Sequence, residues 1–438
     1  MKTALKISLI ILIAAIPSTL HAQFERYGLE GHIVYDVAAY GSTVYAATDQ
    51  GAYARYRYAG RDTGWVLLGL KGKTVRTIYP HQFGPIGYAV TAGVDRKSGD
   101  PDSTLVYCTQ YSDTAWAPVD TGIARTEING IRSIRGFPTL AICGETFAGG
   151  DGKVYRRPPY PWEKVFDIGI GATNVVRANE EDATIWVGGE TGIFAPYISV
   201  SPDKGKTWNT SFPNLGGDNA CNALAFAHGP RPMVYAGMEG AVITSKDSGR
   251  TWTSTTLSGT PYYFYGLAVY EYGSQPLWVF AGGSTSTGQF GLYQGNIAGS
   301  QWTALSPPFS TKGIRCLALE PGTLFMGTQG DGVLLYKFIT PSLPNDRTPE
   351  RFSLEQNYPN PFNPGTTIIF ATPVGARLAV SLQVFDILGR HVEALVDQSM
   401  EGGTHEVPFD GTGLPAGIYC YRLTAGTFVA TKKMMLLR

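Results

Sequence analysis

Three arginines occupy the same place in three short apolar runs: Arg76 in VRTIY (75–79), Arg132 in IRSI (131–134) and Arg315 in IRCLAL (314–319). A guanidinium is a planar fork of donors, so several converging on one point would hold a carboxylate. Tyr35 and Tyr265 fall at the matching place in two further runs. Asn222 does so in CNALAF (221–226), and Asn174 or Arg177 in another. A second set is acidic: Asp49, Glu145, Glu190, Glu239 and Asp331 all lie beside turn glycines. Two carboxylates at a suitable separation could cleave a glycosidic bond, although acidic residues on a solvated rim need no catalytic account.

A third set is a phrase written twice. SPDKGKTW (201–208) and SKDSGRTW (245–252) share the pattern S-x-D-x-G-x-T-W. Asp203 and Asp247 have the chemistry of general acids. The company they keep points instead to shape. Ser201 and Ser245 offer hydroxyls to a hairpin, the carboxylates accept from turn amides, and Gly205 and Gly249 allow a positive φ. Trp208 and Trp252 follow as packing groups. The five cysteines stand inside apolar runs without C-x-x-C spacing, and the six histidines are scattered. No metal site and no cofactor is expected from them.

The spacing of the phrase is explained by the elements around it. Trp65, Trp116, Trp162, Trp208, Trp252 and Trp302 are separated by 51, 46, 46, 44 and 50 residues. Before each comes the same order of pieces: a short strand, a strand ending in small residues (TVYAAT, TIWVGG, MVYAGM, TLFMGT), a Gly turn and a third strand. The fourth strand begins at the Trp. Four strands repeating at this period are the signature of β-propeller blades, whose sheets bury both faces only when stacked in a ring. Six blades end in a Trp. A seventh begins at Ile314 and stops near Phe338 with three strands, while FERYGLE (24–30) stands unpartnered at the start. Its pairing with residues 332–338 would close a ring of seven over residues 23–338. The fold class expected is all-β: a seven-bladed β-propeller followed by a small immunoglobulin-like β-sandwich.

Glycine makes up about 12% of the 438 residues, which suits many tight turns. Basic and acidic residues balance at 35 each, which gives no electrostatic reason to expect nucleic acid or an anionic membrane as partner. Residues 1–22 read as a signal peptide: Lys2 and Lys6, an apolar run from Ile7 to Ile16, then Ala22 before Gln23. No other stretch reaches membrane-spanning length, so a mature chain without a transmembrane segment is expected.

The chain changes character at TPSLPNDRTPE (340–350), read as part of a linker over 339–350. Seven short β runs follow over 351–438, the pattern of a β-sandwich. NYPNPFNP (357–364), FDILGR (385–390), PAGIYCYRL (415–423) and TKKMMLL (431–437) occur in that order. Together they resemble the type A C-terminal sorting domain of type IX secretion substrates, which is also similar to flagellar-hook-cap immunoglobulin-like folds. One departure is FDGTGLPAG (409–417), where the family more often has Ala-Ser after the Asp. By that resemblance Asn360, Pro361, Asn363, Pro364, Gly389, Gly417, Tyr419, Lys432 and Lys433 carry the sorting signal. The partners it implies are the outer-membrane translocon and a sorting peptidase that cuts near the linker. It implies passage through the periplasm of a Gram-negative bacterium and delivery to the cell surface or medium.

The repeats resemble the Asp-box of neuraminidase-type, sortilin-type and photosystem II assembly-factor-type propellers. The cargo is therefore expected to be a binding propeller for a glycan, peptide or protein, with a ligand site at the channel mouth formed by Arg76, Arg132, Arg315, Tyr35 and Tyr265. The alternative is a secreted glycoside hydrolase, sialidase-like or Asp-box glucanase-like. Sialidases use three arginines, a Tyr nucleophile with a Glu, and an Asp acid. Their F/Y-R-I-P signature is absent, YRRP (155–158) sits in a third strand, and they have six blades. The glucanases use two propellers around a cleft, whereas this sequence has repeats for one.

Overall fold

Valine, tyrosine, threonine and isoleucine crowd the backbone into extended conformations, and glycines at each turn take the positive φ that other residues avoid. The result, among the described residues, is a chain of strands with one short 3-10 turn at Arg125–Glu127. The computed structural model describes residues 23–338 and 352–437. Short internal stretches are excepted (59–60, 84–86, 101–102, 111–114, 137–145, 158–160, 180–181, 214–219, 229–231, 258–261, 273–274, 373–377, 401–402 and 427). The segments read as a leader (1–22) and a linker (339–350), together with Cys143 and Glu145, lie outside the described residues. Among the described residues no helix is long and apolar enough to cross a membrane.

Seven four-stranded antiparallel sheets form the blades. Their innermost strands are Val34–Tyr40, Val75–Phe83, Ser133–Gly136, Gly171–Ala178, Ala223–Ala227, Tyr262–Tyr272 and Ile314–Glu320, in blades one to seven. The seventh sheet takes its outermost strand from the other end of the propeller. Gln23–Arg26 pairs with Val333–Lys337, with Phe24 opposite Tyr336 and Arg26 opposite Leu334.

Each blade buries its faces against the next. Seven apolar clusters lie between the seven pairs of neighbouring blades, the last combining Val37 and Val44 of blade one with Phe325 and Leu335 of blade seven. A buried Val, Leu, Ile or Phe in such a cluster contributes about 1.5–3 kcal/mol. The recurring tryptophans staple the outer edges. The indole N–H of Trp65 donates to the Tyr27 carbonyl (2.6 Å), that of Trp162 to Val119 (2.6 Å) and that of Trp208 to Val165 (2.8 Å). In each case the acceptor belongs to the preceding blade. Trp116 makes the same contact to the Leu68 carbonyl (3.2 Å), whereas Trp302 donates to Gly299 of its own blade (2.9 Å), so the contact accounts for most of the recurring tryptophans and not for all.

The C-terminal unit folds as two sheets, with strand orders Ser353–Leu354, Gly365–Thr372, Gly403–Asp410 and His391–Met400, Leu378–Asp386, Gly417–Ala425, Phe428–Leu436. The first strand is shorter than the five-residue run FSLEQ suggests, because only two residues pair before the chain turns away. Between the sheets lie Phe362, Phe370, Phe409, Tyr421 and Leu436 in one core.

Cys221 and Cys316 are buried between blades, and Cys108 and Cys420 are partly buried; all four are free thiols. Burial pushes the Cys221 thiol up to about 12 and raises Cys316 and Cys108 as well. These thiols stay protonated and act as small apolar groups.

Removing residues 23–30 would strip blade seven of its outer strand and leave Val333–Lys337 as an open edge. Urea unfolding of the mature chain should show a loss of several kcal/mol in the deletion variant. An unchanged midpoint and slope would mean that this strand does not close the ring.

Candidate functional site

The mouth of the central channel is built from the first residues of the inner strands, and a recurring backbone irregularity aims them. In five blades the inner strand carries one extra residue relative to its neighbour. That residue is Tyr35, Arg76, Asn174, Tyr265 or Arg315, each lying between two paired positions. Such a bulge frees one residue from the ladder and turns its side chain out of the sheet. In blades three and five the equivalent residues, Arg132 and Asn222, precede the first paired positions, Ser133 and Ala223. All seven line one cavity of about 520 Å³.

Positive charge dominates that cavity: six guanidinium groups face three carboxylates. Arg76 is neutralised by Asp95, with contacts of 2.8–3.0 Å, and lies 4.1 Å from the centre of the Tyr35 ring. Arg132 donates to the Asn174 side-chain oxygen, and Asn174 donates in turn to Asn222 (3.1 Å), which ties blades three, four and five together. Arg315 lies over the Tyr265 ring at 4.8 Å, and its Nε has no hydrogen-bond partner. Among the described residues neither Arg132 nor Arg315 has an ion-pair partner.

A second layer lies deeper. Asp36 is buried and accepts from the Thr77 hydroxyl (2.8 Å) and the Ile78 amide (3.2 Å). Arg135 reaches it at 3.5 Å. Arg177 donates to its neighbour's carbonyl, and burial, then the charge of Arg135, push its guanidinium down to about 9. It remains protonated at neutral pH, so an anion entering the mouth meets fixed positive charge at two depths.

The structure brings Arg76, Arg132, Arg315, Tyr35 and Tyr265 to one cavity. It resolves the choice in blade four: Asn174 holds the register position and Arg177 lies below it. Asp36, Asp95 and Arg135 are lining residues outside the set expected from sequence: Asp36 follows the bulge at Tyr35, which resets the alternation of its strand, and Asp95 lies just beyond the second strand of its blade. Nor does the sequence single out an apolar rim on blade four. Ile170, Ile193 and Phe194 are 86%, 82% and 58% exposed, and Phe194 has φ +60°.

Two of the acidic turn residues are occupied elsewhere, and neither they nor Glu190 and Glu239 line the cavity. Asp49 accepts from the Ile33 amide (3.1 Å), and Asp331 from the Lys312 amide (2.7 Å) and the Thr311 hydroxyl (3.1 Å). They tie blade connections to adjacent turns. Burial, the largest influence, raises the Tyr265 hydroxyl above its usual range, the reverse of what activates a nucleophile. Among the described residues no group of three His, Cys, Asp or Glu side chains could hold a metal ion.

The repeated octapeptides form two nearly superimposable turns. Ser201 Oγ donates to Asp203 (2.9 Å) and accepts from the Gly205 amide (2.7 Å), and Asp203 accepts from the Thr207 amide (2.8 Å) and hydroxyl (2.7 Å). The corresponding distances around Ser245 and Asp247 are 2.9, 2.8, 2.8 and 2.6 Å. Gly249 has φ +81°, and a Cβ there would come within 2.8 Å of the Trp186 ring, so the position admits little else. Trp208 and Trp252 reach back from these turns to the preceding blade. The hydrogen bonds from Thr207 and Thr251 hold the two carboxyls down to about 2.

In the C-terminal unit the motifs farthest apart in sequence meet. Asn360 Oδ1 accepts from the Met435 amide (2.9 Å) and its Nδ2 donates to the Lys433 carbonyl (3.3 Å). Phe362 is buried and exchanges backbone hydrogen bonds with Met435 and Leu437, both 2.8 Å. The loop containing Pro361, Asn363 and Pro364 therefore clasps the last strand, in which Lys432 pairs with Tyr421 and Lys433 with Cys420. Gly417 opens the strand paired with it, and Tyr419 Oη donates to the Pro415 carbonyl (2.8 Å). Gly389 closes a hairpin tip with φ +77°.

Residues 356–437 match the family model described as secretion system C-terminal sorting domain. Such a tail implies handling by type IX secretion machinery and export to the cell surface or medium. No curated protein matches the chain. Among solved structures it is similar to the WD40 repeats of RRP9, at 11% identity over 72% of this chain and 97% of that one, TM-score 0.53. It is similar to the extracellular domain of a hybrid two-component system from B. thetaiotaomicron, at 10% over 96% and 60%, TM-score 0.50. It is also similar to PorZ, a bacterial surface component of the type-IX secretion system of Porphyromonas gingivalis, at 16% over 92% and 59%, TM-score 0.45. The chain thus spans about three fifths of the length of the last two. At these identities the first two show a likeness of fold alone, that of a β-propeller.

The two octapeptide carboxyls have a consequence for acid stability. Their folded pKa lies near 2, against 3.8 for a free side chain, so their contribution is full above pH 3.8 and is lost as the pH falls through about 2. The D203N/D247N variant should melt below the wild type at pH 5 and above, and the gap should shrink between pH 4 and pH 2. Thermal melts across that range check it, and a constant gap would show that charge is not what the turns use.

Proposed function

We propose that this protein is a secreted recognition propeller. A leader at 1–22 takes it to the periplasm, residues 351–438 address it to the type IX translocon, and a sorting peptidase cuts near 339–350. The propeller then binds an anionic ligand at its channel mouth, on a scaffold whose octapeptide turns are Asp-boxes. The observation that carries the reading is the surplus of guanidinium groups, with Arg132 and Arg315 unmatched by any carboxylate among the described residues. Arg315 is half-buried and its Nε has no hydrogen-bond partner, which is costly, while Arg132 stands exposed at the same cavity; a ligand carboxylate or sulfate would pair with both.

Replacing both, as R132A/R315A, removes charge-assisted hydrogen bonds of about 1.5–3 kcal/mol each, so binding should fall at least about tenfold. The measurement is titration calorimetry with acidic and neutral oligosaccharides and an acidic peptide, at two salt concentrations. Equal binding by both proteins, or no preference for the acidic probes, would exclude the mouth. Cleavage of a sialoside or glucan by the wild type would transfer the site to the hydrolase reading.

Export has its own test. Removing residues 429–438 takes away Met434 and Leu436 from the sandwich core and leaves Phe362 without its partners. The propeller keeps its own seven clusters, so it should accumulate folded in the periplasm. Cell fractionation with an antibody to the propeller would show this, and efficient delivery of the truncated chain would defeat the sorting assignment.

A further inference from the structure

The hairpin between Leu378–Asp386 and His391–Met400 presents Ile387 and Leu388 at its tip, 72% and 75% exposed. Solvated hairpin tips ordinarily take Asn, Asp, Gly or Ser, which satisfy turn geometry without stranding alkyl surface in water. This turn already has such residues. Asp386 accepts from the amides of Leu388 and Arg390 (both 2.9 Å) and pairs with the Arg390 guanidinium (2.6 Å). Gly389 takes the positive φ, and its amide donates to the Asp386 carbonyl at 3.0 Å. The Asp386 carboxyl is held below its usual range, chiefly by the Arg390 amide, so the clamp is charged at neutral pH. Asp386, Gly389 and Arg390 therefore account for the shape of the turn, and nothing in the fold uses the two alkyl side chains between them.

A rigid turn that holds two apolar groups outward is preorganised for a partner, since little conformational entropy remains to be lost on docking. The family match over residues 356–437 supplies the kind of partner: export machinery that must read a folded surface. We propose that Ile387 and Leu388 are the contact that a receptor of this machinery grips, in an apolar socket, with the Asp386–Arg390 clamp holding the pair in position. The inference rests on the export reading above.

The test is export of the full chain from its host carrying I387S/L388S, beside V429S, which removes an exposed apolar side chain (59%) from another face of the same domain. The double variant should accumulate in the periplasm, its exported fraction falling about tenfold or more, as expected when two alkyl groups are lost from a receptor contact. The purified double variant should melt as the wild type does, and V429S should be exported normally. Normal export of I387S/L388S, while a chain lacking 351–438 is retained, overturns the inference and leaves the sorting reading intact. Export of the chain lacking 351–438 overturns both. Retention accompanied by a lowered melting temperature, or shared by V429S, also overturns it, because loss of the fold then accounts for the defect.

Discussion

Everything in the propeller depends on one antiparallel pairing, between Gln23–Arg26 and Val333–Lys337. Glu25 and Lys337, which form an ion pair across it, are 312 residues apart. Bringing such distant segments together costs about 5 kcal/mol of loop-closure entropy beyond a constant. Four short backbone pairs alone offset little of that. The remainder comes from the side chains that lock the joint. The Tyr27 carbonyl accepts from both Trp65 and Arg55, and the Arg55 guanidinium also stacks on the Tyr27 ring. Arg57 of blade one pairs with Glu320 of blade seven. Once the joint is made, every blade has two neighbours and every apolar face is covered.

Ring closure also creates the channel. Seven inner strands start around one axis, so whatever residue each presents there becomes part of a shared surface. The bulges at Tyr35, Arg76, Asn174, Tyr265 and Arg315 show how sheet irregularity serves that surface: a residue that would otherwise alternate into a blade interface is released toward the axis. The cost is one unpaired position per strand, and the gain is a mouth whose chemistry varies from blade to blade without disturbing the packing behind it. The neutral composition of the whole chain conceals this local charge.

The C-terminal unit repeats the logic of closure on a smaller scale. Its first loop grips its last strand through Asn360 and Phe362, so the sorting motifs form one surface only when the domain is folded. The same loop lies beside the hairpin Tyr40–Thr43 of blade one, where Tyr358, Pro359 and Asn363 share a cavity of about 220 Å³ with the propeller.

By itself the sequence determined the period of the blades, their number, the sandwich and its sorting motifs. The period, the sandwich and the motifs rest on local patterning: Trp spacing, small-residue strands, turn glycines and short motifs that need no distant partner to be recognised. The number rests besides on the unpartnered run at 24–30, which matches the strand missing after residue 338. The sequence also placed Arg76, Arg132 and Arg315 at equivalent positions, because repeated units put equivalent residues at equivalent places. Only the tertiary structure decided which of those positions carry net charge. Arg76 is paired with Asp95, while Arg132 meets an asparagine and Arg315 a tyrosine ring, and those partners come from other turns and other blades. It alone brought Arg135 and Asp36 beneath the mouth and set Arg177 below Asn174; for Asp36 and Arg177 the reason is the bulge earlier in the strand, since one extra residue reverses the alternation on which a reading of side-chain direction depends. And it alone separated the structural half of the Asp386–Arg390 hairpin from Ile387 and Leu388, because an alkyl side chain looks the same in a sequence whether it is buried or left in water.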